Sequence, residues 1–576
     1  MTREIAALSR HHCKYMKDRL RIGLLLAIVA MVYGNILVNQ FVMDDELYIV
    51  RNAQVVDPTL RGLFSPNIVS SVYRPFTFAT FALNWKHSGP EPIEYHLFNL
   101  VLHAAVACLL YILLQELLGG SPEAKTVAFA AALLYAVHPI HTEAVDWAVG
   151  RAELLAAGFI FAGWILHLRN YTVASLACFA IALLSKESAV AFLPLLILGD
   201  YAIAKWKPRI RYALVGGLTV AYLGLLWKMQ GGRFGQPDIA TIDNPLASLP
   251  AGWRILNALR VAWKYAGLQF YPAALSVDYS FNQIPVYRDW RHTLPAALAA
   301  IAVAGIWIWA MRKRQVGWAL AGSIYFAGFA TTANILMPTG TIMGDRLAYL
   351  PSAGFCLLLA LCWNWLRQKK EKLAWGVLAA IVLVLSAKTV VRNRDWKNAL
   401  TLYSSGVLAS PNSARMHANL ATAYLNSNQL ELADKEFQAS LRIFPDSPET
   451  LSTYSTLESR LGRYQEAKQD MEKAMSLSGR NHLDYDSMVV MYAAILLKTN
   501  HPDLALERLN REISEAPEYS PAWSARAVLH MSKGEFKEAR ADAQKSLSLN
   551  RTNLMGMDVL RRVDAIAPPT TAVEPQ

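Results

Sequence analysis

Residues 22–46 read IGLLLAIVAMVYGNILVNQFVMDDE. From Ile22 to Gln40 there is no Asp, Glu, Lys or Arg, and a bilayer's hydrocarbon core takes about 20 mostly apolar helical residues. The run therefore predicts a membrane span. Six basic residues precede it (Arg3, Arg10, Lys14, Lys17, Arg19, Arg21) and no small-residue cleavage site follows. A retained span with a cytoplasmic N-terminus fits this better than a cleaved signal. Three consecutive acids, Asp44, Asp45 and Glu46, lie just beyond its outer end.

The same reading extends along most of the chain. Of 576 residues, 54% are hydrophobic and 17% charged, against roughly 25% charged in soluble domains. The imbalance is local. Residues 1–411 hold 37 Lys+Arg and 22 Asp+Glu, whereas residues 412–576 hold 19 and 22. A wholly soluble enzyme, a disordered chain and a fibre are excluded. Nucleic acid is not an expected partner, because the basic residues sit in short clusters between apolar runs. Apolar runs predict about eleven spans, at 22–40, 96–115, 126–138, 153–168, 171–185, 188–204, 212–228, 294–311, 315–336, 347–366 and 373–390. Residues 75–85 are too short to cross. Residues 254–275 carry Arg254, Arg260 and Lys264, each costing roughly 2.5–3.5 kcal/mol near a bilayer centre. Both are expected as interfacial helices. With 254–275 kept on one surface, the basic clusters 205–211, 312–314 and 367–372 all fall inside, as the positive-inside rule requires. The five cysteines show no CxxC spacing, and the last four lie in or at the ends of apolar runs. They read as small buried hydrophobes.

That topology gathers the polar motifs on the outer face: Asp44-Asp45-Glu46, Tyr73-Arg74-Pro75, His138-Pro139-Ile140-His141-Thr142-Glu143, Ser185-Lys186-Glu187 and Gly344-Asp345-Arg346. Adjacent carboxylates repel, so at least one acid of the triple should have a raised pKa. The acids could form a solvated turn, supply a general base or stabiliser, or hold a divalent cation (Mg or Mn) through Asp44 and Asp45. Arg74 and Arg346 suit either a lipid-linked phosphate, through two-pronged hydrogen bonds, or a snorkelling anchor. His138, His141 and Glu143 lack the i, i+4 spacing of zinc helices, so hydrogen bonding to sugar hydroxyls or loop structure outranks metal. Lys186 could pair with Glu187 or donate to phosphate. His96, Asn99 and His103 share one helix face and could satisfy one another.

After Arg394 the pattern changes. Ala433, Ala467, Ala505 and Ala539 recur at spacings of 34, 38 and 34, with Phe437, Met471 and Leu509 four residues after the first three. A 34-residue period with small residues at helix crossings is the tetratricopeptide signature. Four units are expected, at 412–445, 446–483, 484–517 and 518–551, whose stacked helix pairs form a concave groove. The resulting organisation is all-α: a multi-span domain (1–394), a connector (395–411), a repeat solenoid (412–564) and a disordered tail (565–576). The groove suits capture of an acceptor polypeptide, or the array serves as a stabilising or self-associating module. A membrane-anchored scaffold without catalysis is the alternative, but it would not need five polar motifs on one face.

Seven stretches resemble a known family: DDELYIVRN from Asp44, SVYRPFTFATFALN from Ser71, YHLFNLVLHAA from Tyr95, HPIHTEAVDWAVGRAELLAA from His138, LLSKES from Leu183, GDRLAYLPSAGFCLLLA from Gly344 and RNRDWKNALTLYSSGVLASPNSARMHANLATAY from Arg392. Jointly and in order, they are similar to the transmembrane and tetratricopeptide-repeat O-mannosyltransferases, within the GT-C glycosyltransferases. The resemblance implies a GT-C-like bundle that transfers a mannose-like hexose from a polyprenyl-phosphate donor to a protein hydroxyl on the non-cytoplasmic face. It maps a catalytic acid onto Asp44 or Asp45, with Glu46 beside them. Arg74, His138, His141, Glu143, Lys186 and Arg346 are the expected donor-binding set. The family's usual Glu-Arg is replaced here by Asp345-Arg346, and the repeat array is shorter than in animal members. The expected setting is a bacterial inner membrane with periplasmic repeats, or an endoplasmic reticulum membrane with lumenal repeats in a eukaryote.

Overall fold

The computed structural model describes residues 2–65, 72–229, 239–480 and 484–567, with side chains from residue 17 onward. Among these every regular element is helical, and the chain divides into two compact units, Met1–Ser413 and Ala414–Gln576.

The first unit begins with α1 (Thr2–Tyr33), the short α2 (Ala53–Val56) and α3 (Leu60–Leu63), and α4 (Pro75–Ser88). Next come α5 (Pro92–Leu117), α6 (Pro122–Val137), the one-turn α7 (Thr142–Asp146), α8 (Arg151–Leu168), α9 (Thr172–Ser185), α10 (Phe192–Ala202) and α11 (Arg209–Met229). It closes with α12 (Ala251–Phe270), α13 (Trp290–Arg312), α14 (Val316–Phe329), α15 (Ser352–Lys369), α16 (Glu371–Asp395) and α17 (Ala399–Ala409). Proline opens α4, α5 and α6, where its missing N–H has no partner to lose.

Each expected span overlaps a helix, though 188–204 and 347–366 are α-helical only over Phe192–Ala202 and from Ser352, and the two segments set aside as interfacial are α4 and α12. Among the described residues six stretches are long and apolar enough to cross alone: Lys17–Val38, Pro92–Leu117, Ala148–Leu168, Arg209–Met229, Trp290–Arg312 and Glu371–Asp395. By contrast α9 and α14 have 14 residues each and rise about 21 Å, short of a roughly 30 Å core. The run read as a span over 315–336 ends its helix at Phe329. The most buried of the six stretches is Ala148–Leu168, where α8 packs on α5 and α9 while α6 packs on α5 and α15. The α14–α15 crossing depends on Gly354, where a Cβ would stand 2.4 Å from the Ala321 carbonyl oxygen. Of the cysteines, Cys356 is buried, Cys108 and Cys178 are half-buried, and Cys362 is exposed, against the expectation for it.

The second unit stacks four helix pairs and a cap. They are α18 (Ala414–Asn426) with α19 (Leu430–Ile443), α20 (Pro448–Arg460) with α21 (Tyr464–Ser478), α22 (Tyr485–Lys498) with α23 (Pro502–Glu515), and α24 (Ser520–Ser532) with α25 (Phe536–Leu549), closed by α26 (Leu554–Ile566). The four periodic alanines are all fully buried. Five residues ahead of each lies Asn428, Gly462, Asn500 or Gly534, all with φ between 57° and 78°. Only Gly and Asn visit that left-handed region at little cost, so the turn between paired helices repeats with the period of the packing. Residues 481–483 in the third boundary, and the tail from Pro568, lie outside the described residues. Ala565 and Ile566, expected in the tail, close α26.

Candidate active site

The three acids after α1 have three different surroundings. Asp45 is buried and accepts hydrogen bonds from the backbone N–H groups of Val42 and Val149, both at 3.0 Å. Burial pushes its carboxyl up to about 8 despite those bonds. It therefore fastens the loop after α1 to the turn between α7 and α8. Asp44 is exposed. Glu46 is exposed and pairs with Arg51 at 3.1 Å.

Arg74 precedes α4 and grips Glu187 with two prongs, Nε at 3.0 Å and Nη2 at 2.7 Å. The Arg74 charge holds the Glu187 carboxyl down at about 2, against its burial. Lys186 pairs with Glu153 of α8 rather than with Glu187, and both are buried. Arg346 pairs with Glu143 of α7, which also accepts the Arg346 backbone N–H at 2.8 Å, and its guanidinium lies 5.1 Å from the Trp147 ring centre. Arg346 feels the charges of Glu143, Glu153 and Asp44, and Lys186 those of Glu153, Arg74, Glu187 and Arg346. Loops far apart in sequence thus form one electrostatic neighbourhood of alternating sign.

The histidines turn away from it. His138 Nε2 donates to the Gln269 carbonyl at 2.9 Å while its Nδ1 accepts the Ile140 N–H. His141 Nδ1 donates to the Tyr135 carbonyl at 2.9 Å, and its Nε2 lies 2.7 Å from Ser352 Oγ. Burial keeps His141 neutral, far below its usual pKa. These rings fasten the 138–150 loop to α12 through His138 and to α6 and α15 through His141. With Glu143 committed to Arg346, the H-x2-H-x-E stretch assembles no ligand set. Among the described residues no three His, Cys, Asp or Glu side chains converge as metal ligands, and Asp45 is occupied by backbone N–H groups. Nor do His96, Asn99 and His103 satisfy one another. Asn99 donates to the carbonyls of Val145, Trp147 and Ala148, and His103 pairs with the Tyr349 hydroxyl at 2.8 Å and the Ala136 carbonyl at 3.2 Å.

Sequence reasoning missed several residues. Arg151 is wholly buried and donates to Asn99 Oδ1 (3.0 Å), Asn84 Oδ1 (2.7 Å) and the Tyr95 carbonyl (3.1 Å), tying α4 and α5 to the start of α8. Its signal was an Arg two residues before Glu153 at the mouth of an apolar run. Tyr265 of α12 exchanges two 3.0 Å hydrogen bonds with the Gly344 backbone, and the Tyr279 hydroxyl donates to Asp345 at 2.9 Å. Burial, with Glu143 nearby, pushes Asp345 up to about 8. Asp146 is buried, neither carboxylate oxygen being hydrogen-bonded among the described residues, and burial raises it well above the usual range. At Gly150 a Cβ would lie 2.5 Å from the Ala144 carbonyl oxygen, so only glycine lets the α7–α8 turn fold back on itself.

Tetratricopeptide repeat models match residues 385–448, 449–481 and 493–553. A protein O-mannosyl-transferase of Caenorhabditis elegans is 32% identical over 438 residues, covering 73% of this chain and 62% of the relative. Protein O-mannosyl-transferase TMTC3 of Homo sapiens is 28% identical over 599 residues, covering 92% of this chain and 64% of the relative. Protein O-mannosyl-transferase TMTC4 of Mus musculus is 27% identical over 463 residues, covering 66% and 60%. Alignment spans less than two thirds of each relative's length. The chain's curated homologues are thus TMTC-family O-mannosyltransferases with tetratricopeptide repeats, as the motifs suggested. These relatives are animal proteins and lend no support to the expected bacterial source. Among solved structures, MamA aligns at 17% identity over 29% of this chain and 94% of its own, with a TM-score of 0.24.

Proposed function

We propose that this homologue of the TMTC O-mannosyltransferases is itself a GT-C-type membrane glycosyltransferase. It moves a mannose-like hexose from a polyprenyl phosphate to a protein hydroxyl on the non-cytoplasmic face. One observation carries the reading: loops from five separated places, bearing Asp44, Arg74, Glu143, Lys186-Glu187 and Arg346, share one charged neighbourhood. Structural loops would not need to be brought together in that way.

In this reading Asp44 is the base. Like Glu46 it is exposed, and it is the acid of the triple whose charge acts on Arg346, whereas Asp45 is a buried brace. Asp44 takes the proton of the acceptor hydroxyl as its oxygen bonds to the sugar's anomeric carbon. The bond from that carbon to the phosphate oxygen breaks, and its electron pair leaves with the phosphate. Arg346 and Arg74 meet the growing negative charge with charge-assisted hydrogen bonds, and their glutamates hold them in place beforehand. The repeats hold the acceptor and raise its effective concentration. The test is transfer of mannose from polyprenyl-phosphate mannose to a serine- and threonine-rich peptide by the purified chain in detergent. Transfer that fails with Asp44→Asn supports the reading. Equal transfer by wild type and Asp44→Asn refutes Asp44 as the base.

A further inference from the structure

The cations expected to read a phosphate, Arg74, Lys186 and Arg346, each have a glutamate of their own. A second group does not. On α12, Arg260 and Lys264 stand one helical turn apart and face a cavity of about 380 Å³ that Trp263, Gln283 and His292 also line. No carboxylate is among its lining residues. Arg260 Nη1 is shared between Asn257 Oδ1 (3.2 Å) and the Pro285 carbonyl (2.9 Å), and its guanidinium lies 4.3 Å from the Tyr287 ring centre. Lys264 Nζ lies 4.7 Å from the Tyr279 ring centre and makes no hydrogen bond or ion pair among the described residues. The nearby acids are engaged elsewhere: Asp289 with His292 at 2.8 Å, and Asp345 with Tyr279.

Asp289 acts on Arg260 and Asp345 on Lys264 only at a distance, with no direct ion pair to either cation among the described residues. Two half-buried positive charges without a contacting carboxylate are costly unless an anion joins them, and burial lowers the pKa of both despite those acids. The surroundings say where the anion comes from. Trp263 is 53% exposed and Trp290 62%. Trp290 lies 5.3 Å from Trp253, and Ile255 and Phe270 on the same helix also face outward. Exposed tryptophans beside apolar side chains and cations are the pattern of a helix lying at headgroup level.

We infer that the Arg260–Lys264 cavity binds the phosphate of a membrane lipid, with Trp263 against the lipid's apolar part. This does not depend on the glycosyltransferase reading. The shared chemistry is a lipid-borne phosphate, supplied either by an acidic phospholipid or by a polyprenyl phosphate. Native mass spectrometry of the full chain in detergent, with added phosphatidylglycerol or phosphatidylcholine, tests it. The wild type should retain phosphatidylglycerol at least about tenfold better, the scale of a charge-assisted hydrogen bond. Lys264→Gln should lose most of that preference and Lys264→Arg should keep it. Arg260→Gln disturbs the 285–287 loop as well, so Lys264, which holds no loop, is the cleaner probe. A parallel titration with polyprenyl phosphate separates the sources. Displacement of phosphatidylglycerol assigns the cavity to that lipid, and failure to displace assigns it to bilayer phospholipid; both uphold a phosphate site. Equal retention of the two phospholipids by wild type, or unchanged preference in Lys264→Gln, overturns the inference.

Discussion

The two units solve the same problem, packing helices, by opposite means. In the repeats one solution is used four times: a buried alanine at the crossing and, five residues earlier, a left-handed Asn or Gly. Partners are near in sequence, and each unit resembles its neighbour. In the membrane unit the loop contacts join residues far apart in sequence. Glu143 meets Arg346 across 203 residues, Arg74 meets Glu187 across 113, and Val149 meets Asp45 across 104. Repetition spreads stability over many small, replaceable terms. A site assembled once from distant loops concentrates function in a few irreplaceable ones.

If that contrast holds, the largest single effects belong to the loops. Asp44→Asn should lower sugar transfer by about 10²–10⁴-fold, the usual contribution of a general base. Abundance and thermal stability should be unchanged, since exposed substitutions usually stay within about 0.5 kcal/mol. Activity lost together with folding would instead make Asp44 a structural residue like its neighbour. Glu143→Gln comes next. It removes the partner of Arg346 and leaves that cation partly buried, a change that typically costs about 3–5 kcal/mol when a buried pair is broken. Because Arg346 is 23% exposed at its side chain, solvent should reduce that cost. Adding Arg346→Gln should restore part of the lost stability but none of the activity. If the second change brings a further drop in stability, the two side chains are not coupled.

The sequence revealed the repeats almost completely because their signal is local and periodic. Ala433, Ala467, Ala505 and Ala539 announce the fold without reference to anything distant. It also placed the helices of the membrane unit, because each apolar run is read by itself. What it could not assign was pairing. The sequence offers Lys186 the adjacent Glu187 or a phosphate, yet its partner is Glu153, and Glu187 turns to Arg74. Adjacent residues near a helix end point in different directions, and only the packed bundle decides which distant loop each one meets. Asp44 and Asp45 were indistinguishable as letters. The Val42 and Val149 N–H groups separate them, and backbone donors leave no trace in composition. The brace formed by Arg151 was missed for the same reason, since its acceptors on α4 and α5 are mostly carbonyls and amides.

The pH dependence sharpens the contrast between the two neighbouring acids. The Asp45 carboxyl is raised from 3.8 to about 8 in the fold, so the folded state holds a proton there that the unfolded chain releases. Stability from this group is therefore greatest at low pH, falls as pH rises above about 4, and is fully lost above about 8. Asp45→Asn should flatten that part of the stability-versus-pH curve, whereas Asp44→Asn should leave it unchanged. Thermal unfolding followed from pH 5 to 9 measures both. A wild-type curve that rises over the range, or equal slopes for wild type and Asp45→Asn, would remove Asp45 from its role as a buried brace.

The smallest expected effect lies in the repeats and tests whether their turns are interchangeable. Gly462 and Asn428 occupy equivalent positions, with φ of 78° and 57°. A Cβ at Gly462 would meet nothing within 4 Å, so any cost of filling it comes from the backbone alone. A left-handed conformation costs an ordinary L-residue roughly 1–2 kcal/mol. Gly462→Ala should therefore destabilise the α20–α21 pair by about 1 kcal/mol. Asparagine already tolerates the region through local hydrogen bonding. Asn428→Gly should accordingly be nearly neutral, the relief of strain offsetting the added freedom of the unfolded chain. Hydrogen exchange of the full chain, read separately over 448–478 and 414–443, reports the two changes where they occur. Loss of protection in 448–478 for Gly462→Ala, with 414–443 unchanged for Asn428→Gly, is the expected result. Equal losses from the two changes would mean that the turns are held by side-chain contacts, and that the four repeats do not share one backbone solution.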